Sequence, residues 1–193
     1  MDGKQITELS LFTGGGGGVI GTRYLLGFRT LCYVENDLTC QTIIRSRIAD
    51  GALDDGDLQG DIKEFDPSRW RGKIDIVSGG FPCQPFSVAG KQGGEQDDRN
   101  LWPDTFRVIR EVRPRLVFLE NVPGLITSGY FGTILGDLSS VGFDAEWEVI
   151  SAEQCGANHR RQRLWILAYS PGAIGDGRPS ESVGGRSGPA NEG

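Results

Sequence analysis

Up to about Tyr169 the chain alternates short apolar runs with amphipathic stretches and turns, and after Ser170 that pattern stops. Ile6–Leu11 reads as a strand running into the glycine run Gly14–Gly18. Val19–Leu26 reads as a short helix, Thr30–Val34 as a second strand, and Leu38–Arg47 carries apolar residues at helical spacing. Ile74–Val77, short and β-branched and bounded by Gly79-Gly80, suits a buried strand. Leu101–Val112 predicts a helix that stops before Pro114, because the residue preceding proline disfavours helical geometry. Leu116–Leu119 predicts a further buried strand, and Tyr130–Val141 a helix with Gly142 at its C-cap. Ala145–Ile150 and Leu164–Tyr169 read as two strands flanking a polar loop. Strands alternating with helices imply an α/β fold around a mostly parallel sheet.

Composition changes the picture at one point. The 193 residues suffice for one domain with a sizeable core. We therefore expect a folded domain over 1–169 and, over 170–193, a Gly, Ser and Pro-rich tail or linker with almost nothing to bury. No apolar run approaches the ~20 residues of a membrane span. The N-terminus lacks a signal-peptide layout, so a cytoplasmic protein is expected. Cys32, Cys40, Cys83 and Cys155 are scattered without C-x-x-C pairing, and His159 is the one histidine. Free thiols, rather than a metal site or disulfide framework, are the expectation. The formal net charge of -6 argues mildly against nucleic-acid binding, although Arg107–Arg115 and Arg160–Arg163 are local basic clusters.

Four constellations carry candidate chemistry. In Leu11-Phe12-Thr13-Gly14-Gly15-Gly16-Gly17-Gly18, glycines between a strand and a helix let the backbone approach a ligand, or else form a flexible loop. Glu35 closes the second strand, where a carboxylate can accept from a ribose diol, and Asp61 stands where a third strand would end and could meet an adenine amino group. Together they favour a nucleoside-type cofactor. In Gly80-Phe81-Pro82-Cys83-Gln84-Pro85, a cysteine between prolines is presented on a stiff loop, unlike the usual buried free cysteine. Glu120, in Glu120-Asn121-Val122-Pro123, is either a solvated strand-end charge or a carboxylate beside the Cys83 loop. Arg161 and Arg163 enter a strand on one face. They form either a solvated basic turn or a grip on an anion or a base carbonyl.

Phe12-Thr13-Gly14-Gly15-Gly16, Pro82-Cys83-Gln84, Glu120-Asn121-Val122 and Arg161-x-Arg163 resemble, in order and approximate spacing, the motifs of the cytosine-5 DNA methyltransferase family. Gln96-Asp97-Asp98-Arg99-Asn100-Leu101 resembles the stretch after that family's catalytic loop, and the likeness runs from Leu9 to about Tyr169. The resemblance implies a Rossmann-like, S-adenosylmethionine-dependent methyltransferase fold, mostly parallel with a final antiparallel strand and incomplete at the C-terminus. It implies that Cys83 attacks C6 of a cytosine flipped out of double-stranded DNA. Glu120 would hydrogen-bond near N3, while Arg161 and Arg163 would hold Cys83, Glu120 or the base. Phe12, Gly14, Gly16, Glu35, Asp61 and Pro82 would line the S-adenosylmethionine pocket, and Gln84, Ser87 and Arg99 would lie on or beside a loop closing over DNA. No metal is implied. The resemblance also implies a restriction-modification or phage setting, where such enzymes often belong.

The likeness has two departures. Asn158 stands where the family usually has proline, and nothing after Tyr169 resembles the family's target-recognition region or its last motif. A complementary C-terminal chain is therefore an expected partner, and activity of this chain alone is an open expectation. Other readings are a tRNA cytosine-5 methyltransferase, an inactive paralogue that binds cofactor or a partner, and a nicotinamide-dependent oxidoreductase. The last leaves Pro82-Cys83-Gln84 unexplained.

Overall fold

The computed structural model describes residues 5–82 and 100–173. Seven strands form one sheet: β1 (Thr7–Leu11), β2 (Arg29–Val34), β3 (Asp57–Gln59), β4 (Ile76–Gly79), β5 (Leu116–Asn121), β6 (Asp144–Ser151) and β7 (Gln162–Tyr169). The order across the sheet is β3-β2-β1-β4-β5-β7-β6. β1 through β5 are mutually parallel, whereas β7 runs antiparallel to both its neighbours, β5 and β6. The expected mostly parallel sheet with one reversed strand is thus what forms.

Helices α1 (Gly17–Leu26), α2 (Leu38–Ala49), α3 (Trp102–Val112), α4 (Gly124–Thr127) and α5 (Tyr130–Ser140) connect the strands. They cover opposite faces of the sheet. Cys32 and Val34 of β2 join the core that holds Val108 and Ile109 of α3 and Ile134 and Leu138 of α5. Tyr33, between them, packs instead with Val19 of α1 and Ile44 of α2. The alternation of side chains along a strand decides which residue meets which helix layer.

Several boundaries move from their expected positions for local reasons. α1 starts two residues early because Gly16, left-handed at φ 88°, turns the chain into the helix directly. Gly27, left-handed at φ 70°, ends it. α3 carries Pro103 in its first turn, where a missing N–H costs nothing, and stops at Arg113, which takes φ 56° and ψ 55° ahead of Pro114. β4 starts two residues later than expected. Asp75 is occupied before it, accepting from the Thr7 backbone N–H (3.0 Å) and the Thr7 hydroxyl (2.9 Å). β3 ends at Gln59, two residues short of Asp61.

Ser170 N–H donates to Arg115 O (3.0 Å), and the Arg115 guanidinium donates to Ala173 O (3.0 Å). These bonds hold the exit of β7 beside the entry of β5. Among the described residues, no helix is long and apolar enough to cross a membrane, and no group of three or more His, Cys, Asp or Glu could hold a metal ion.

Cys32 is fully buried on β2. Burial, reinforced by the Asp57 carboxylate, pushes its thiol up to about 12. Because the thiolate is the reactive form, Cys32 should resist iodoacetamide at pH 8 in the folded protein while exposed Cys155 is alkylated. Peptide mass mapping before and after denaturation checks this, and native labelling of Cys32 would contradict it.

Candidate active site

The carboxyl ends of β1, β4 and β5 meet where β1 and β4 lead their connections to opposite faces, the place where open α/β sheets bind ligands. Two features let the strands come together there. A Cβ at Gly79 would stand 2.7 Å from the Leu11 carbonyl oxygen, closer than side-chain carbons pack, so β4 can lie this near β1 only with glycine. A Cβ at Gly80 would stand 2.9 Å from Glu120 Oε2, so the next residue must also be small for Glu120 to lie across the end of β4.

Phe12 leaves β1 at φ 52°, an uncommon and costly conformation for a residue with a bulky side chain. That turn releases the glycine loop from the sheet. Gly14, at φ 56°, then aims its N–H at Glu35 Oε2 (2.7 Å), while Asp37 N–H donates to Glu35 Oε1 (2.9 Å). Glu35 thus ties the glycine loop to the end of β2. Each of its oxygens keeps a lone pair, so the ribose-diol role stays chemically available.

A cavity of about 580 Å³ opens above these strand ends. Phe12, Glu120, Arg161 and Arg163 line it together, as do Gly17 and Gly18. The two arginines do share this site, on different terms. Arg163 Nε lies 2.6 Å from Glu120 Oε1, a charge-assisted contact between neighbouring strands β7 and β5. Arg161 precedes β7 at φ 31°, a second strained residue at the cavity, with its side chain exposed. Gly14, Gly16, Glu35, Asp61 and Pro82 do not line this cavity. Asp61 instead closes a local turn, accepting from Lys63 N–H (2.9 Å).

Asn121, buried beside Glu120, donates to Phe81 O (3.0 Å) and accepts from Val122 N–H (2.8 Å). It thereby fixes the chain that leads through Pro82 to Cys83. Cys83, Gln84, Ser87 and Arg99 lie outside the described residues.

The cavity also contains residues that the motif reading passed over. Phe118 and Trp165 stack with centroids 5.1 Å apart and give it an apolar wall. Ser10, Thr22 and Ser78 give it a hydroxyl floor. One signal was available. Central parallel strands usually read as continuous apolar runs, yet Glu8-Leu9-Ser10-Leu11 alternates polar and apolar residues.

The profile of the family described as C-5 cytosine-specific DNA methylase matches residues 6–181. The chain belongs to that family. The Type II methyltransferase M.NgoMIV of Neisseria gonorrhoeae is 33% identical over 168 residues, covering 85% of this chain and 52% of that protein. M.BsuFI of Bacillus subtilis is 39% identical over 101 residues, covering 50% and 25%. This methylase chain thus spans about half, or less, of the length of these relatives. Among solved structures, a putative DNA modification methyltransferase encoded within an Escherichia coli prophage shares 26% identity at TM-score 0.68, covering 86% of this chain and 47% of that one. A Spodoptera frugiperda DNMT2 structure superposes at TM-score 0.72 over 92% of this chain and 54% of that one. At 19% identity it speaks for the fold alone.

The fold is the Rossmann-like one of the S-adenosylmethionine methyltransferases, and the residues present fit such a ligand. The cavity lies at strand ends, its lining is largely apolar with a few convergent polar groups, and close backbone approach is built in by Gly79.

Proposed function

We propose that this chain carries the catalytic half of a DNA cytosine-5 methyltransferase, with S-adenosylmethionine as methyl donor. The observation that supports this most is the Glu120–Arg163 pair facing the cavity at the head of the segment that holds Cys83. The cofactor, when bound, would supply an electrophilic methyl group. Phe12 lines the cavity, while Gly14, Gly16, Glu35, Asp61 and Pro82, which lie outside it, would hold the parts of the cofactor that extend beyond it.

The chain's own residues do the rest. C5 of cytosine is a poor nucleophile, and the Cys83 thiolate makes it a better one by bonding to C6. Glu120 hydrogen-bonds the ring near N3 as charge develops there, and Arg163 fixes the carboxylate for that task. Arg161 adds positive charge beside the reacting base. A free cysteine has a pKa of ~8.5, so nearby arginine favours the thiolate. After the methyl group has moved to C5, a base takes the C5 proton, and the electron pair of that C–H bond expels Cys83 from C6. The target atom is hidden in stacked DNA, so the cytosine must be flipped into the cavity. We assign Gln84, Ser87 and Arg99 to the loop that closes behind it.

We take residues 1–169 as the catalytic domain and 170–193 as the lead into a recognition region. Sequence-reading and phosphate contacts would come from the part that the longer relatives carry beyond the match, in the same polypeptide or on a complementary chain. That distribution accounts for the net charge of -6.

Trapping on a DNA duplex with 5-fluorocytosine tests this, since fluorine at C5 cannot leave as the proton does. With S-adenosylmethionine present, the wild-type chain should form a covalent adduct stable to denaturation, and Cys83→Ala should form none. An adduct on tRNA but not on DNA would move the substrate to RNA. No adduct on either would favour an inactive, cofactor-binding paralogue.

A further inference from the structure

Glu120 and Arg163 are a quarter to a third exposed, and an ion pair this open to water holds two long side chains only loosely. A single geometry at the cavity therefore needs a neighbour that limits how far the carboxylate can swing. The register of the sheet supplies one. Trp165 of β7 stands directly opposite Glu120 of β5, so the two side chains leave the same face. Residues paired in this way have Cβ atoms about 4.5–5.5 Å apart. On its other flank Trp165 is opposite Glu148 of β6, which is exposed and does not line the cavity. Three adjacent strands thus carry the row Glu120, Trp165, Glu148, with an uncharged indole in the middle.

Two diagonal contacts cross this part of the sheet in the same sense. Arg163, two residues before Trp165, reaches Glu120, and Trp165 reaches Phe118, two residues before Glu120. The two rings lie 12° from parallel with centroids 5.1 Å apart. That stack braces the indole from the β5 side. Around Glu120, Arg163 Nε meets Oε1, Gly80 lies against Oε2, and Trp165 closes the flank that faces β6. Gly80, Phe118, Glu120, Arg163 and Trp165 all line the one cavity.

We propose that Trp165, braced by Phe118, is a positioning residue for methyl transfer, one that holds the Glu120–Arg163 pair in a single geometry and keeps water off its β6 side. An indole suits the task because it is large and rigid, with two side-chain torsions, and carries no charge to draw Arg163 from the carboxylate. Excluding water beside the pair also strengthens the attraction between its charges. Trp165 acts through Glu120 and not on the reacting atoms. The proposal rests on the reading of Glu120 as the group that meets the base.

Two readouts test it. The first is exchange of the Arg163 Nε–H proton with water, followed in ¹H–¹⁵N spectra and assigned by its loss in Arg163→Lys. Trp165→Leu keeps an apolar side chain and removes the flat wall, so it should speed this exchange by about three- to tenfold. Trp165→Phe should restore most of the protection. Unchanged exchange in Trp165→Leu would overturn the proposal, and this readout does not depend on activity. The second is the rate of 5-fluorocytosine adduct formation at saturating S-adenosylmethionine. Trp165→Leu should slow it roughly tenfold and Trp165→Phe by less than about threefold, with affinity for S-adenosylhomocysteine unchanged within about twofold. In a Glu120→Ala background the same substitution should change little, because residues that act as a unit are not additive. An equal loss in both backgrounds would mark Trp165 as merely structural and sink the proposal. If the wild-type chain formed no adduct while the exchange result held, the methyl-transfer reading would fall and Trp165 would stand as the residue that holds the pair. Should Trp165→Leu not fold, Phe118→Leu removes the brace and should speed the exchange by about threefold. No change there would equally count against the proposal.

Discussion

Glu120→Ala is expected to lower the single-turnover rate of methyl transfer by ~10²–10⁴, the range for loss of a positioned acid–base group. Glu120 is held on three sides. β5 delivers it to the strand end, Arg163 Nε takes Oε1 at 2.6 Å, and Oε2 lies where only a glycine at position 80 leaves room. Removing it withdraws the group proposed to face N3 and also leaves the Arg163 guanidinium without its carboxylate partner. Arg163→Met should act through Glu120 and cost less, roughly 10-fold to 100-fold, because a freed carboxylate still reaches the base. The double variant should then be little worse than Glu120→Ala, since residues that act as a unit are not additive. Stability should hardly change. Both side chains are about a quarter to a third exposed, where an ion pair contributes about 0–1 kcal/mol. Single-turnover transfer alongside thermal melting separates the two effects, and a Glu120→Ala chain at wild-type rate would remove Glu120 from the chemistry.

Much of this arrangement was legible in the sequence because it depends on local rules. Alternating apolar runs set the strands and helices, and Gly79-Gly80 bounded a buried strand, although the close approach of β4 to β1 that requires Gly79 shows only in the fold. That Glu120, Arg161 and Arg163 share one cavity was implied by the family resemblance; period-two spacing alone would not place Arg161, which precedes β7 at φ 31°. What escaped depended on distant partners. β4 begins at Ile76 because Asp75 is engaged by Thr7, 68 residues earlier. α4 forms directly after Pro123, in four residues too short to carry a periodicity. Glu8, on β1, is fully buried. Its burial comes from Thr22, Thr30 and Ser78, which no local window brings together. Phe118 and Trp165 likewise become an apolar wall only once the antiparallel register of β5 and β7 sets them side by side.

Trp102→Ala should be among the most destabilising single changes in the chain, at about 3–5 kcal/mol for truncating a buried tryptophan. Its side chain is 1% exposed. Phe81 lies 5.4 Å from it, centroid to centroid, and Phe106 stacks at 6.0 Å. The indole Nε1–H donates to Asp137 Oδ2 (2.7 Å) on α5, so the ring joins two helices as well as filling space. In a domain of this size that loss corresponds to a fall in melting temperature of roughly 6–20 °C. Trp102→Phe should cost less, about 1–3 kcal/mol, chiefly from the Asp137 carboxylate losing its donor. The position also bears on catalysis. Phe81 precedes the Cys83 segment and Asn100 follows it, and both are fastened to this residue, Asn100 Oδ1 accepting from Trp102 N–H (3.2 Å). The tryptophan therefore contacts the residues on either side of the segment that contains Cys83, the proposed nucleophile. Well below its melting temperature, Trp102→Phe should keep its affinity for S-adenosylhomocysteine yet form the 5-fluorocytosine adduct several-fold more slowly. Equal trapping rates would confine Trp102 to stability, whereas a melting shift under about 2 °C for Trp102→Ala would contradict its place in the core.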